Sequence, residues 1–229
     1  MLDQAFDALK TYDWGVDPNV LKPIDEAVVK THGDAVARKA LEARIIPVLG
    51  ADMPRAAKDY ACRWLRTIGT EASVPALAAL LPDKDLSHMA RYALERIPSP
   101  EAGEALRKAL PDVGPAQQIG IMGSLGVRGE DAAVVSLQAL LGCGEAAVAC
   151  SAAQALGAIG SPQAAKVLLG AKPGPGTKEA LADASLGAAE RLLAAGKKTA
   201  AKDVYQGLLG GKPTEAVKAA ATRGLEAGG

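Results

Sequence analysis

Residues 71–98 read EASVPALAALLPDKDLSHMARYALERIP, and the fold is decided by this stretch. Val74, Leu77, Leu80 and Leu81 recur at i, i+3, i+6 and i+7, which places them on one face of an α-helix. Glu71 and Ser73 fall in or just before the first turn, where unpaired N–H groups and the positive dipole end favour acidic and hydroxyl side chains. Pro75 is tolerated there because first-turn N–H groups have no intrahelical partner. Pro82 stops the helix. Leu86, Met89, Ala90, Ala93, Leu94 and Ile97 form a second stripe, with Asp83 or Asp85 as its N-cap and Pro98 as its stop. The stretch therefore predicts helix, tight turn, helix. A short turn makes the two helices antiparallel neighbours, and the pair keeps an apolar side that only another pair can cover.

Such pairs recur outward from this stretch. ACRWLRTIG, ARYALERIP, IMGSLGVRG and AAQALGAIG align on Leu65, Leu94, Leu125 and Leu156, at intervals of 29, 31 and 31 residues. Val134, Leu137, Leu140 and Leu141 repeat the spacing of Val74, Leu77, Leu80 and Leu81 at an offset of 60 residues, two periods on. A period near thirty with one helical hairpin per period signals an α-solenoid.

Toward the N-terminus, Leu2, Phe6 and Leu9 mark a short helix, and Gly15, Asp17 and Pro18 punctuate a turn. Tyr12 and Trp14 are expected to cover the open end of the array, since an end unit lacks a neighbour on its outer face. Val20, Leu21, Ile24, Ala27 and Val28 give the next stripe, closed by His32 and Gly33. From Asp34, the residues Val36, Ala40, Ile45, Val48 and Leu49 are expected inward, with Pro47 kinking or fraying the last turn. A helix then runs from Pro54 to Ile68. Downstream, Leu106 and Leu110, then Ile119, Met122 and Leu125, are expected inward, and AKPGPGT at 171–177 is a loop. Helices at 178–195, 197–209 and 213–227 follow, and Gly228 and Gly229 are expected to fray.

VPALAALLPDKDLSHMARYAL (74–94) and AAVACSAAQALGAIGSPQAAKVLL (146–169) resemble the short bacterial HEAT repeats of phycobilisome-lyase-like type. The resemblance covers roughly 34–227 as five or six units. It implies an all-α fold, an α-solenoid wound as a right-handed superhelix, with the second helix of each hairpin on a concave, partner-facing side. It also implies an Arg early in each second helix, joined to an Asp in a ladder along the stack. At that position this chain has Lys58, His88, Gln118 and Ala149, so stacking must rest on apolar contact instead. The organisation expected is an N-terminal helical cap over residues 1–33 and one continuous repeat array over 34–229.

Composition bounds the function. Lys plus Arg and Asp plus Glu are each 26, so no global field favours nucleic acid or an anionic membrane. Aromatics are only 3% of residues, which leaves close packing through Ala and Leu as the source of the core. Cys62, Cys143 and Cys150 form no CxxC pair; Cys62 and Cys150 read as small core residues. No segment is apolar over membrane-spanning length, and the start shows no signal-peptide pattern. A cytoplasmic location is favoured, with an exported parent protein as the alternative.

Catalytic constellations are missing from the pattern. The two histidines, His32 and His88, lie in neither an HExxH motif nor a His–Glu dipeptide, so the ligand pairs of the di-iron HEAT-repeat hydroxylases are absent. CGEAAVAC, around Cys143 and Cys150, offers no base to activate a thiol. GPGTK at 174–178 has the wrong order for a phosphate loop. Lys58, Arg63 and Arg66 with Trp64 form a small basic cluster, but Asp59 and Glu71 beside it weaken a nucleic-acid reading.

The reading is a monomeric, non-catalytic scaffold without metal or cofactor, binding another protein on the concave face. The face residues are Lys58, Arg63, Arg66, His88, Tyr92, Glu95, Gln118 and Gln154. The alternatives are a structural module of a larger envelope or secreted protein, and a HEAT-type enzyme, a bilin lyase or a glycosylase acting on DNA.

Overall fold

The computed structural model describes residues 1–50 and 52–228, so Gly229 and its expected fraying lie outside the described residues. These residues form two compact units, Met1–Gln117 and Gln118–Gly229. Every regular element among them is helical.

The first unit opens with α1 (Leu2–Ala8), a 3-10 turn at Leu9–Thr11 and α2 (Lys22–Lys30). It continues through α3 (Ala35–Gly50), α4 (Arg55–Ile68), α5 (Val74–Ala78), α6 (Ser87–Leu94) and α7 (Pro100–Ala109). First helices stack on first helices, α3 on α5 and α5 on α7, while the second helices α4 and α6 pack together as a parallel layer of their own. Leu65, Leu77, Leu81, Leu94 and Leu106 are wholly buried between the layers. Each such side chain contributes about 1.5–3 kcal/mol by leaving water. Neither Asp83 nor Asp85 is the N-cap of α6, which is Leu86 without a side-chain cap; Asp83 instead holds the turn before the helix, its Oδ1 accepting from the N–H groups of Asp85 at 2.8 Å and Leu86 at 2.9 Å. Those bonds, Leu86 first, hold its carboxyl below the usual range.

One buried carboxylate ties successive pairs together. Glu42, on α3, is 1% exposed. It accepts from the Thr70 N–H at 2.7 Å, from the Thr70 hydroxyl at 2.9 Å, and from the Ser73 hydroxyl. Thr70 caps the 3-10 turn Glu71–Ser73 that leads into α5, so the carboxylate sits at the positive end of the next first helix. A buried charge is tolerated when its lone pairs are matched by donors, as they are here.

This anchor also corrects the inward face expected for α3. Val36 is 82% exposed and Ala40 is exposed as well, whereas Leu41, Ile45, Val48 and Leu49 are buried. Ala40 lies two residues from Glu42, roughly 200° around the helix, so fixing Glu42 inward turns Ala40 out. Pro47 does not end the helix, which continues to Gly50. At the N-terminus Tyr12 is buried and meets Tyr60 edge-on at 5.4 Å, but Trp14 is 56% exposed. Trp64, by contrast, is fully enclosed, its Nε1 donating to Asp25 Oδ1 of α2 at 2.7 Å.

Helix α8 (Pro115–Arg128) leads into the second unit. The rest is α9 (Val134–Leu140), α10 (Ala146–Ile159), α11 (Pro162–Gly170), α12 (Lys178–Ala194), α13 (Lys198–Gly210) and α14 (Glu215–Gly228). The layers recur: α9, α11 and α13 form one, α10, α12 and α14 the other. On α8 the inward residues are Ile121, Met122 and Leu125, not Ile119. Ile119 is two residues from Ile121 and so faces the opposite way.

Close approach through small residues joins these helices. A Cβ on Gly126 would stand 3.0 Å from Ala158 Cβ and 3.3 Å from Ala155 Cα. One on Gly157 would stand 2.7 Å from the Ala184 carbonyl oxygen. Only glycine fits the second position, and the backbones of α10 and α12 touch there. Gly160 ends α10 in the left-handed region at φ +60°, as helix-terminating glycines do. Farther along, a Cβ on Gly224 of α14 would run into the Tyr205 ring of α13.

Candidate protein-binding groove on helices α4 and α6

Helix α4 divides its residues sharply. Ala57, Ala61, Cys62, Trp64, Leu65 and Ile68 are buried, whereas Arg63 is exposed and Lys58 and Arg66 are half-buried. On α6, Ala90, Ala93 and Leu94 turn inward and leave His88 and Tyr92 outward, Tyr92 at 37% exposure. Because α4 and α6 pack side by side, the outward residues of both meet. Arg63, Arg66, His88, Met89 and Tyr92 line a groove of about 320 Å³.

Aromatic rings hold both arginines. The Arg66 guanidinium lies 4.3 Å from the centre of the Tyr92 ring, and that of Arg63 lies 5.3 Å from the Tyr60 ring. Such stacking is worth about 0.5–1 kcal/mol at an exposed site and restricts the swing of a long side chain. The Arg66 Nε is buried without a hydrogen-bond partner. Neither arginine takes part in an ion pair among the described residues, although Arg55 pairs with Asp85 at 3.2 Å nearby.

Asp59 lies under this surface. It is buried, its Oδ1 has no hydrogen-bond partner, and desolvation raises its pKa against the opposing pull of Arg55, Arg63 and His88. The Cys62 thiol beside it is pushed up to about 12, first by burial and then by the Asp59 charge. This thiol is inert at neutral pH.

Of the residues singled out from sequence, Arg63, Arg66, His88 and Tyr92 share the groove. Lys58 lies on the same helix and acts on Asp83, and Glu95, just past α6, acts on Arg91. Gln118 belongs to the second unit. So does Gln154, exposed on α10 beside a different groove, of about 290 Å³, with Gly123, Val127, Ser151, Ala158 and Arg191. Sequence reasoning missed two groove-builders. Met89 reads as core but lines the groove, and Tyr60 stands three residues before Arg63, a spacing at which helical side chains meet.

No group of three or more His, Cys, Asp or Glu side chains converges as a metal site among the described residues. No helix among them is long and apolar enough to cross a membrane.

The stacked helical pairs define the chain as an all-α repeat protein of the solenoid class. More narrowly, residues 148–172 match the family described as PBS lyase HEAT-like repeat, so that segment carries a HEAT-like repeat. No curated protein matches it. Among solved structures, human deoxyhypusine hydroxylase in complex with glycerol aligns at 17% identity, over 99% of this chain and 96% of that one, with a TM-score of 0.36. An engineered protein aligns at 21% identity, over 100% and 97% of the two chains, with a TM-score of 0.31.

Proposed function

We propose that the protein is a non-catalytic scaffold, acting as a monomer, that binds another protein across the exposed face of its second helices. The observation that carries this reading is the groove of Arg63, Arg66, His88, Met89 and Tyr92, where two neighbouring helices present polar, aromatic and thioether groups together. Arginine and tyrosine are enriched among residues that dominate protein interfaces, because each combines apolar area with directional polar groups. Lys58 and Glu95 extend the face in the first unit, and Gln118 and Gln154 are its proposed counterparts in the second.

The test is capture from the source cell with the full chain as bait, followed by affinity measurement with the purified partner. Changing Arg63, Arg66 and Tyr92 to Ala together is expected to abolish capture. Capture at full strength by that variant overturns the assignment of the face, and turnover dependent on a single residue of this chain overturns the non-catalytic reading.

A further inference from the structure

We propose that the α4–α6 groove grips an acidic peptide segment of the partner, with Arg63 and Arg66 each binding a carboxylate. The inference rests on the scaffold reading and specifies the chemistry of what docks.

The argument begins with charge. The chain carries equal numbers of acidic and basic residues, and Arg44 and Arg55 each engage an acidic side chain, Asp3 and Asp85. Arg63 and Arg66 stand apart from every ion pair among the described residues, while their guanidinium planes are propped on Tyr60 and Tyr92. A propped guanidinium has already lost part of its rotational freedom, so less is lost on binding. Its planar fork matches a carboxylate through two parallel N–H···O bonds. His88, from the adjacent helix, adds a third polar group to the same groove.

The surroundings favour peptide over nucleic acid. A phosphate backbone needs an extended row of cations, and here Asp85 and Glu95 interrupt the basic surface within a few residues while Asp59 lies beneath it. Base stacking needs a free aromatic face, and one face of Tyr92 is already covered by Arg66. A volume of about 320 Å³ suits a few side chains of an extended segment rather than a nucleotide strand.

The experiment uses the full chain and three labelled probes: hexaglutamate, hexalysine and a single-stranded thymidine oligonucleotide, followed by fluorescence anisotropy. Hexaglutamate is expected to bind, and hexalysine and the oligonucleotide are not. The double variant R63Q/R66Q should weaken hexaglutamate binding more than about tenfold, the loss expected for charge-assisted pairs. Arg66→Lys keeps the charge but not the fork and should weaken it several-fold. Lys166→Gln, an exposed control in the second unit, should change nothing. Circular-dichroism melts report whether each variant is folded, and Arg66→Lys keeps the test decisive if the double variant is not. Failure of hexaglutamate to bind, binding indifferent to both arginine variants, or preference for the oligonucleotide overturns the proposal. If hexaglutamate fails while partner capture still depends on Tyr92, the acidic segment is wrong and the scaffold reading stands. If capture is indifferent as well, both fall.

Discussion

Glu42 and Thr70, 28 residues apart, are joined through the Thr70 N–H and hydroxyl to one buried carboxylate. The separation is close to one repeat, so a side chain from one helical pair holds the turn that leads into the first helix of the next. Glu42→Ala leaves the Thr70 and Ser73 donors buried without an acceptor. The expected loss is about 3 kcal/mol, within the range for breaking a buried network. Glu42→Gln keeps one acceptor and should lose about 1 kcal/mol. Urea unfolding measures both, and equal stability of Glu42→Ala and the parent would show the node to be idle.

Gly157 and Gly187 make a matched pair in the second unit. A Cβ at Gly157 meets the Ala184 backbone, whereas one at Gly187, inside α12, meets nothing within 4 Å. Gly157→Ala should destabilise by about 1–3 kcal/mol through overpacking. Gly187→Ala should stabilise by about 0.5–1 kcal/mol by favouring the helix. Thermal melts with opposite shifts are the expected result; shifts of the same sign would mean that α10 and α12 are less tightly apposed.

Asp59 gives the pH dependence a sign. Burial raises its folded pKa above the ordinary 3.8, so the folded state holds its proton where the unfolded state has released it. Its contribution therefore weakens as pH rises through the folded pKa, and the ionised side chain is a burden at pH 7. Asp59→Asn should raise the melting temperature at pH 7, with the gain shrinking as pH falls toward 3.8. A gain independent of pH would remove titration as the cause.

Thiol and indole reagents should sort the side chains by burial. Cys143 is exposed, Cys150 is half-buried and Cys62 is buried. Cys143 should react first with an aromatic disulfide reagent, and Cys62 only on unfolding, because burial suppresses its thiolate. Acrylamide should quench Trp14 and spare Trp64, which are 56% and 4% exposed. A single, uniform quenching constant would contradict the enclosure of Trp64 over Asp25.

The repeat was legible because Leu65, Leu94, Leu125 and Leu156 recur at a nearly constant interval, and all four are wholly buried. Helix rotation was harder to read where alanine populates every face. Val36 and Ile119 look like core residues by type, yet stronger neighbours, Leu41 and Ile121, take the inward position. Glu42 escaped notice because an acidic residue in a helix ordinarily faces water. Its signal is nonlocal: Thr70 and Ser73, the partners that make its burial tolerable, lie 28 and 31 residues on. The groove was half legible. Periodicity puts Arg63, Arg66, His88 and Tyr92 outward, but the pairing of Arg66 with Tyr92 spans two helices and depends on how they pack.

The Tyr205 ring leaves room at Gly224 for a hydrogen and nothing more. Were α14 to slip by one residue in either direction, Arg223 or Leu225 would be driven into the phenol. The last helix is thereby keyed like a notched bolt, and a slip of one residue on α13 is barred in both directions.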